Sequence, residues 1–137
     1  MPLTGLEDSI LLVARLLIGG VLVFMGLNHF TNLEAMAGYA EFKGLPAATL
    51  SVLASGAVLV LGGLGIVLGV FPQVSAIAVA GFLVVAAVLM HDFWAVPEDQ
   101  QQDEMTHFLK NLVMAGGALA IAAIGAGTWA YSLGIGL

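Results

Sequence analysis

The side chains best suited to proton transfer in this sequence are three histidines, His29, His91 and His107. A neutral imidazole both donates and accepts, and it titrates near neutral pH. Asp92 adjoins His91, while Lys110 and Asn111 follow His107 by about one helical turn. His91 with Asp92 beside it is the pairing expected of an acid–base centre. Lys110 and Asn111 add donors for an oxygen-bearing ligand, and Phe93 and Trp94 would cover a flat ring. Together they suit hydrogen bonding to quinone carbonyls, with proton transfer through His91. Two other readings stand beside it. The same residues fit an ordinary interfacial belt, since Trp and polar groups favour headgroup depth. His91 and His107 at similar depth would also suit axial haem ligation, although no HxxxH or HExxH spacing supports a metal. The chain has no cysteine, so it holds no thiolate nucleophile and no Cys-ligated zinc or iron–sulfur centre.

These residues need elements to position them, and composition says which kind. Of 137 residues, 61% are apolar and 9% charged, against roughly 45–50% and 25% in soluble domains. Mean hydropathy is +1.08. A soluble domain of this size would expose much of that apolar surface, so the chain reads as all-α and polytopic, a bundle of transmembrane helices. The three basic residues against nine acidic ones, a net charge of −6, exclude a nucleic-acid partner. The partner they leave is the lipid bilayer.

A span needs about 20 apolar residues. From Gly44 to His91 there is no Asp, Glu, Lys or Arg, which is room for two spans, and Pro72 marks the turn between them. Four spans follow, over residues 9–28, 47–70, 73–90 and 108–129, in a single membrane domain covering 1–137. Thr4 and Glu7 form a capping box ahead of the first. Glu7 and Asp8 precede the apolar run, unlike the basic opening of a signal peptide.

Four spans place both termini on one face. The segments 28–46 and 91–107 then share the other, which gathers His29, His91, Asp92, His107, Lys110 and Asn111 into one layer. The acidic stretch with Glu98, Asp99, Asp103 and Glu104 reads as a solvated loop there. Arg15 lies inside the first span, where a charge needs a partner or water. It either snorkels toward Glu7 or Asp8 or turns inward to a bound headgroup or quinone carbonyl. Glycines, with the row Ala118, Ala122 and Ala126, give small-residue faces for packing within the bundle, between copies or against partner helices.

Nearly the whole chain resembles the DoxX/DoxD-like membrane proteins. The resemblance rests on Arg15 in a first helix ending Gly26-Leu27-Asn28-His29-Phe30, on Gly44-Leu45-Pro46, and on Gly62-Gly63 and Gly69 in the second helix. It rests further on His91-Asp92-Phe93 closing the third helix, and on Phe108-Leu109-Lys110-Asn111-Leu112 with Gly116-Gly117 opening the fourth. Many relatives carry lysine where His29 stands, and several carry glutamate about where this chain has Leu59. The resemblance implies a four-helix bundle in a prokaryotic cytoplasmic membrane with cytoplasmic termini. It implies a quinone-linked role as a subunit or accessory of a redox complex, beside partner subunits or copies of itself. On this reading His91 and Asp92 are the catalytic pair, and Arg15, His29, Trp94, Lys110 and Asn111 bind the cofactor. A non-catalytic scaffold is the alternative. A small transporter fits least, since the second and third spans lack midplane charges.

Overall fold

The computed structural model describes residues 5–125 and 129–136. The elements in order are α1 (Gly5–Thr31), α2 (Leu33–Phe42), α3 (Ala48–Leu68), α4 (Pro72–Met90), a single 3₁₀ turn (Phe93–Ala95) and α5 (Glu98–Ile124). Four helices, α1, α3, α4 and α5, are long and apolar enough to cross a membrane. Between 28% and 39% of each apolar stretch is buried inside the protein. Large apolar side chains such as Phe24, Leu61 and Val113 therefore point outward, as acyl chains as solvent would require. The chain is an all-helical four-span membrane protein.

The turn between α3 and α4 forms where Pro72 predicts it. Gly69 ends α3 in the left-handed region, at φ 70°, and its N–H bonds Gly65 O, while Pro72 opens α4. Two segments differ from the sequence expectation. The acidic stretch is helical rather than a loop, because α5 begins at Glu98 and not near Phe108. Pro97 stands at its N-cap, and Glu98 and Asp99 complement the positive end of the helix dipole. The segment after α1 also holds a helix, α2, lying across the end of the bundle. Thr4, expected as an N-cap, and Ala126, expected third in its small-residue row, lie outside the described residues.

The glycines that face between α1 and α3 are used within the bundle, while Gly20, Gly81 and Gly116 adjoin open space. A Cβ on Gly19 would lie 2.6 Å from Gly63 O, one on Gly63 2.7 Å from Gly19 O, and one on Gly26 2.8 Å from Gly56 O. α1 and α3 thus meet backbone to backbone, which in lipid supplies van der Waals contact where hydrophobic driving force is absent. α3 packs on α4 and α4 on α5, while α1 touches α5 lightly. Leu22, Leu59, Ile66, Val79, Leu83 and Ala118 fill the centre.

At the terminal face, residues 129–136 fold back over the α3–α4 turn. Leu133 N–H donates to Leu68 O (2.8 Å), Ile135 N–H to Gly69 O (3.2 Å) and Phe71 N–H to Ile135 O (2.6 Å). This satisfies carbonyls that a helix end leaves open. Arg15 completes the cap. It is fully buried, and Nε donates to Ile66 O (3.0 Å), Nη1 to Ala130 O (3.0 Å) and Nη2 to Val67 O and Tyr131 O. Its guanidinium carbon lies 4.9 Å from the Trp129 ring centroid, within cation–π range. Arg15 therefore neither snorkels toward Glu7 or Asp8 nor faces the polar layer. It ties α1 to the end of α3 and to the returning segment.

Candidate functional site

The opposite end of the bundle holds a cavity of about 510 Å³, within the range of small-ligand sites. All five helices line it, with Met25 and His29 from α1, Tyr39 from α2, Val52 and Leu59 from α3, Leu83 and Val85 from α4, and Lys110 and Asn111 from α5. Most of the wall is apolar. Its polar groups are His29, Tyr39, Ser51, Ser55, His91, Lys110 and Asn111. Of the residues expected from sequence, the fold brings His29, His91, Lys110 and Asn111 to this wall. It leaves Asp92 and Trp94 beside it and Arg15 at the other end of the membrane.

His91 ends α4 with Nδ1 2.9 Å from Glu104 Oε2. That carboxylate fixes the ring's orientation and leaves Nε2 for a ligand. The His107 ring lies 5.1 Å from the His91 ring, and Lys110 Nζ donates to His107 Nδ1 at 3.4 Å. Asn111 is buried one turn deeper into α5, its Nδ2 3.5 Å from Leu83 O. His29 spends its Nδ1 on Met25 O, at 2.8 Å in the same helix. Leu59 lines the same cavity as His29.

Asp92 makes its direct bond to another group, while His91 bonds Glu104. Asp92 forms an ion pair with Lys43, which follows α2. Tyr39 Oη donates to Met90 O (3.0 Å) and to Glu104 Oε1 (3.1 Å). α2 is thus latched to the α4–α5 connection at two points. Burial pulls the Lys43 ammonium down, but the bond to Asp92 and the neighbouring negative charge outweigh it and leave the group above its ordinary value. Burial raises the Tyr39 hydroxyl, and the bond to Glu104 raises it further. Trp94 packs edge-on against Phe93 and Phe108, with centroids 5.2 and 5.8 Å apart, in an aromatic cluster outside the cavity.

Sequence reasoning missed Tyr39, Lys43 and Glu104. Each earns its place through a contact across the chain, and no local motif announces it. Among the described residues, no group of three or more His, Asp or Glu side chains is arranged to hold a metal ion.

The DoxX family model matches residues 10–92, from α1 through the α4–His91–Asp92 end that carries half of this site. The chain belongs to the DoxX family. Two Escherichia coli proteins are similar along most of their length. The inner membrane protein YqjF is 33% identical over 131 residues, covering 93% of this chain and 92% of YqjF. The inner membrane protein YphA is 26% identical over 118 residues, covering 86% of this chain and 84% of YphA. No solved structure matches this DoxX chain. The match to YqjF spans both halves of the cavity, including Lys110 and Asn111 of α5, which lie beyond the family model's 10–92.

Proposed function

We propose that this DoxX protein binds a quinone in the cavity between its five helices and serves as a quinone-interacting subunit or accessory of a membrane redox complex. The observation that carries the reading is the cavity wall. It is apolar over most of its extent, and His91, Lys110 and Asn111 converge on it. A quinone head presents two carbonyl acceptors on a flat apolar ring, and donors set in an apolar wall match it. With Glu104 ionised, His91 donates a hydrogen bond from Nδ1–H to its carboxylate and keeps that proton. Its Nε2 then accepts a proton from a quinol hydroxyl or, once protonated, donates to a quinone carbonyl. Lys110 and Asn111 supply the remaining donors.

The 5.1 Å separation of the His91 and His107 ring centroids is too short to hold a haem iron between the two rings and favours a quinone. The chain has no cysteine and no nucleotide fingerprint, so the other electron carrier belongs to a partner subunit. The names of YqjF and YphA support placement in a prokaryotic inner membrane. We place the termini in the cytoplasm, which sets the cavity end outside. Gly19, Gly26, Gly56 and Gly63 meet across α1 and α3 inside the bundle, so a scaffold gripping partner helices would have to use Gly20, Gly81 or Gly116, which adjoin open space.

The test is an oxidised-minus-reduced spectrum in the near ultraviolet, taken on protein purified with its lipid. A quinone band that weakens in His91→Ala and Lys110→Leu at equal protein level is the expected result. A flat spectrum from folded, lipid-retaining wild-type protein overturns the reading.

A further inference from the structure

The cavity wall includes two side chains that also face the outside of the bundle. Val85 and Leu89 of α4 line it, yet they are 55% and 49% exposed. They sit one helical turn apart in the last turns of a membrane-crossing helix, so what they face outside is acyl chain. Ser51 and Ser55 of α3 form the facing wall and are partly exposed. The polar end is closed differently. There α2 lies across the bundle, held by Tyr39 on Met90 O and Glu104 and by the Lys43–Asp92 pair. Of the donors at this end, Asn111 is buried and His91 half-buried, while Lys110 is exposed and still lines the cavity.

We propose that the cavity opens sideways into the bilayer between α3 and α4, and that its ligand is a tailed amphiphile. The head lies among His91, Lys110 and Asn111 while the tail leaves over Val85 and Leu89. This deepens the quinone reading and rests on it, by naming the substrate class as a lipid-dissolved quinone with an alkyl or isoprenoid chain. The physical reason is complementarity at both ends. A water-soluble head would have to pass the latch of α2, whereas a lateral mouth lets an acceptor-rich head reach its donors without leaving the membrane. A tail lying against Val85 and Leu89 exchanges lipid contact for protein contact of the same kind. Its gain comes from the tighter packing a fixed groove allows.

The experiment compares two probes on the protein in lipid nanodiscs, a dimethoxy-methyl-benzoquinone bearing a decyl chain and the same ring without it. Affinities are referred to probe mole fraction in the bilayer, so that partitioning is removed. The tailed probe is expected to bind at least tenfold more tightly. Val85→Trp and Leu89→Trp, which put an indole into the tail's path, are expected to lower its affinity tenfold or more. Val88→Trp is the matched control, since Val88 is 47% exposed on the same helix but does not line the cavity. Its affinities stay at the wild-type level. Equal affinity of the two probes overturns the lateral mouth and leaves the quinone site standing. So does retention of tailed binding in both mouth variants, or the same loss in Val88→Trp. Absence of binding by either probe in folded wild-type protein overturns the quinone site and the mouth with it.

Discussion

His91 Nδ1 stands 2.9 Å from Glu104 Oε2, and the other oxygen of that carboxylate accepts from Tyr39 at 3.1 Å. One side chain of α5 thus orients the imidazole at the end of α4 and anchors α2 over it. His91 and the cover of the cavity share a support, so they respond together when it is removed.

Glu104→Ala is expected to free α2 and let the His91 ring turn. Hydrogen bonds to charged groups contribute about 1.5–3 kcal/mol each, and partial exposure lowers that here. A loss near 1–2 kcal/mol is expected. Faster amide exchange over residues 33–42 in Glu104→Ala, with α3 unchanged, is the reading; unaltered exchange there would refute the shared support.

His91→Ala removes a ring that lines the cavity and lies outside the buried core of the bundle. Binding of a quinone analogue should weaken about tenfold, the equivalent of one good hydrogen bond of about 1.4 kcal/mol, with the melting temperature within a few degrees of wild type. Isothermal titration in nanodiscs decides it. Unchanged affinity removes His91 from the site.

Arg15 donates to four backbone carbonyls while fully buried. Arg15→Leu leaves those carbonyls without a partner in an apolar setting and should cost at least about 3 kcal/mol. Arg15→Lys should recover little, because an ammonium cannot spread donors over the fan that a planar guanidinium spans. Thermal unfolding in detergent measures both, and a wild-type melting point in Arg15→Lys would show that charge alone suffices.

Gly63→Ala should separate α1 from α3 or prevent folding, since its new Cβ would meet Gly19 O at 2.7 Å. Gly116→Ala is the contrast. A Cβ there meets nothing within 4 Å, and alanine is the better helix former. The yield of monodisperse protein should fall sharply for the first and hold for the second.

Lys43 lies above its ordinary value of 10.5 and Tyr39 above 10.0. A group raised on folding contributes stability that is fully present below its unfolded value and is lost as pH rises through its folded one. The latch of α2 should therefore hold through neutral pH and, on the alkaline side, loosen above about pH 10. Proteolytic cutting within residues 33–46 should rise over that alkaline range in wild type. In the Tyr39→Phe, Lys43→Met double variant cutting should be high at neutral pH, with no further alkaline rise.

The spanning helices were legible because lipid imposes long charge-free runs, and Pro72 can sit at a turn but not inside one. The acidic start of α5 was not, because Glu98–Glu104 has the composition of a solvated loop. Its helical signal lies in Pro97 and two acids in the first turn, which compete poorly with that composition. The layer holding His91, Lys110 and Asn111 followed from topology alone. The pairing of Asp92 did not. Sequence adjacency suggested His91, yet the partner is Lys43 on a segment read as irregular. Arg15 was legible as a buried charge needing partners, but backbone carbonyls carry no residue signature, so their number and place were hidden.

The Arg15 anchor also sets an order of events in biosynthesis. Two of its acceptors, the carbonyls of Ala130 and Tyr131, lie 115 and 116 residues further along the chain. At about 5–20 residues per second, the first helix waits on the order of ten seconds before they emerge. During that interval the guanidinium must be sheltered by water, lipid phosphate or the insertion machinery. Closing the terminal face is thus a late step, and the nascent helix hairpins spend their early life with a cation in the membrane that only the finished bundle can accommodate.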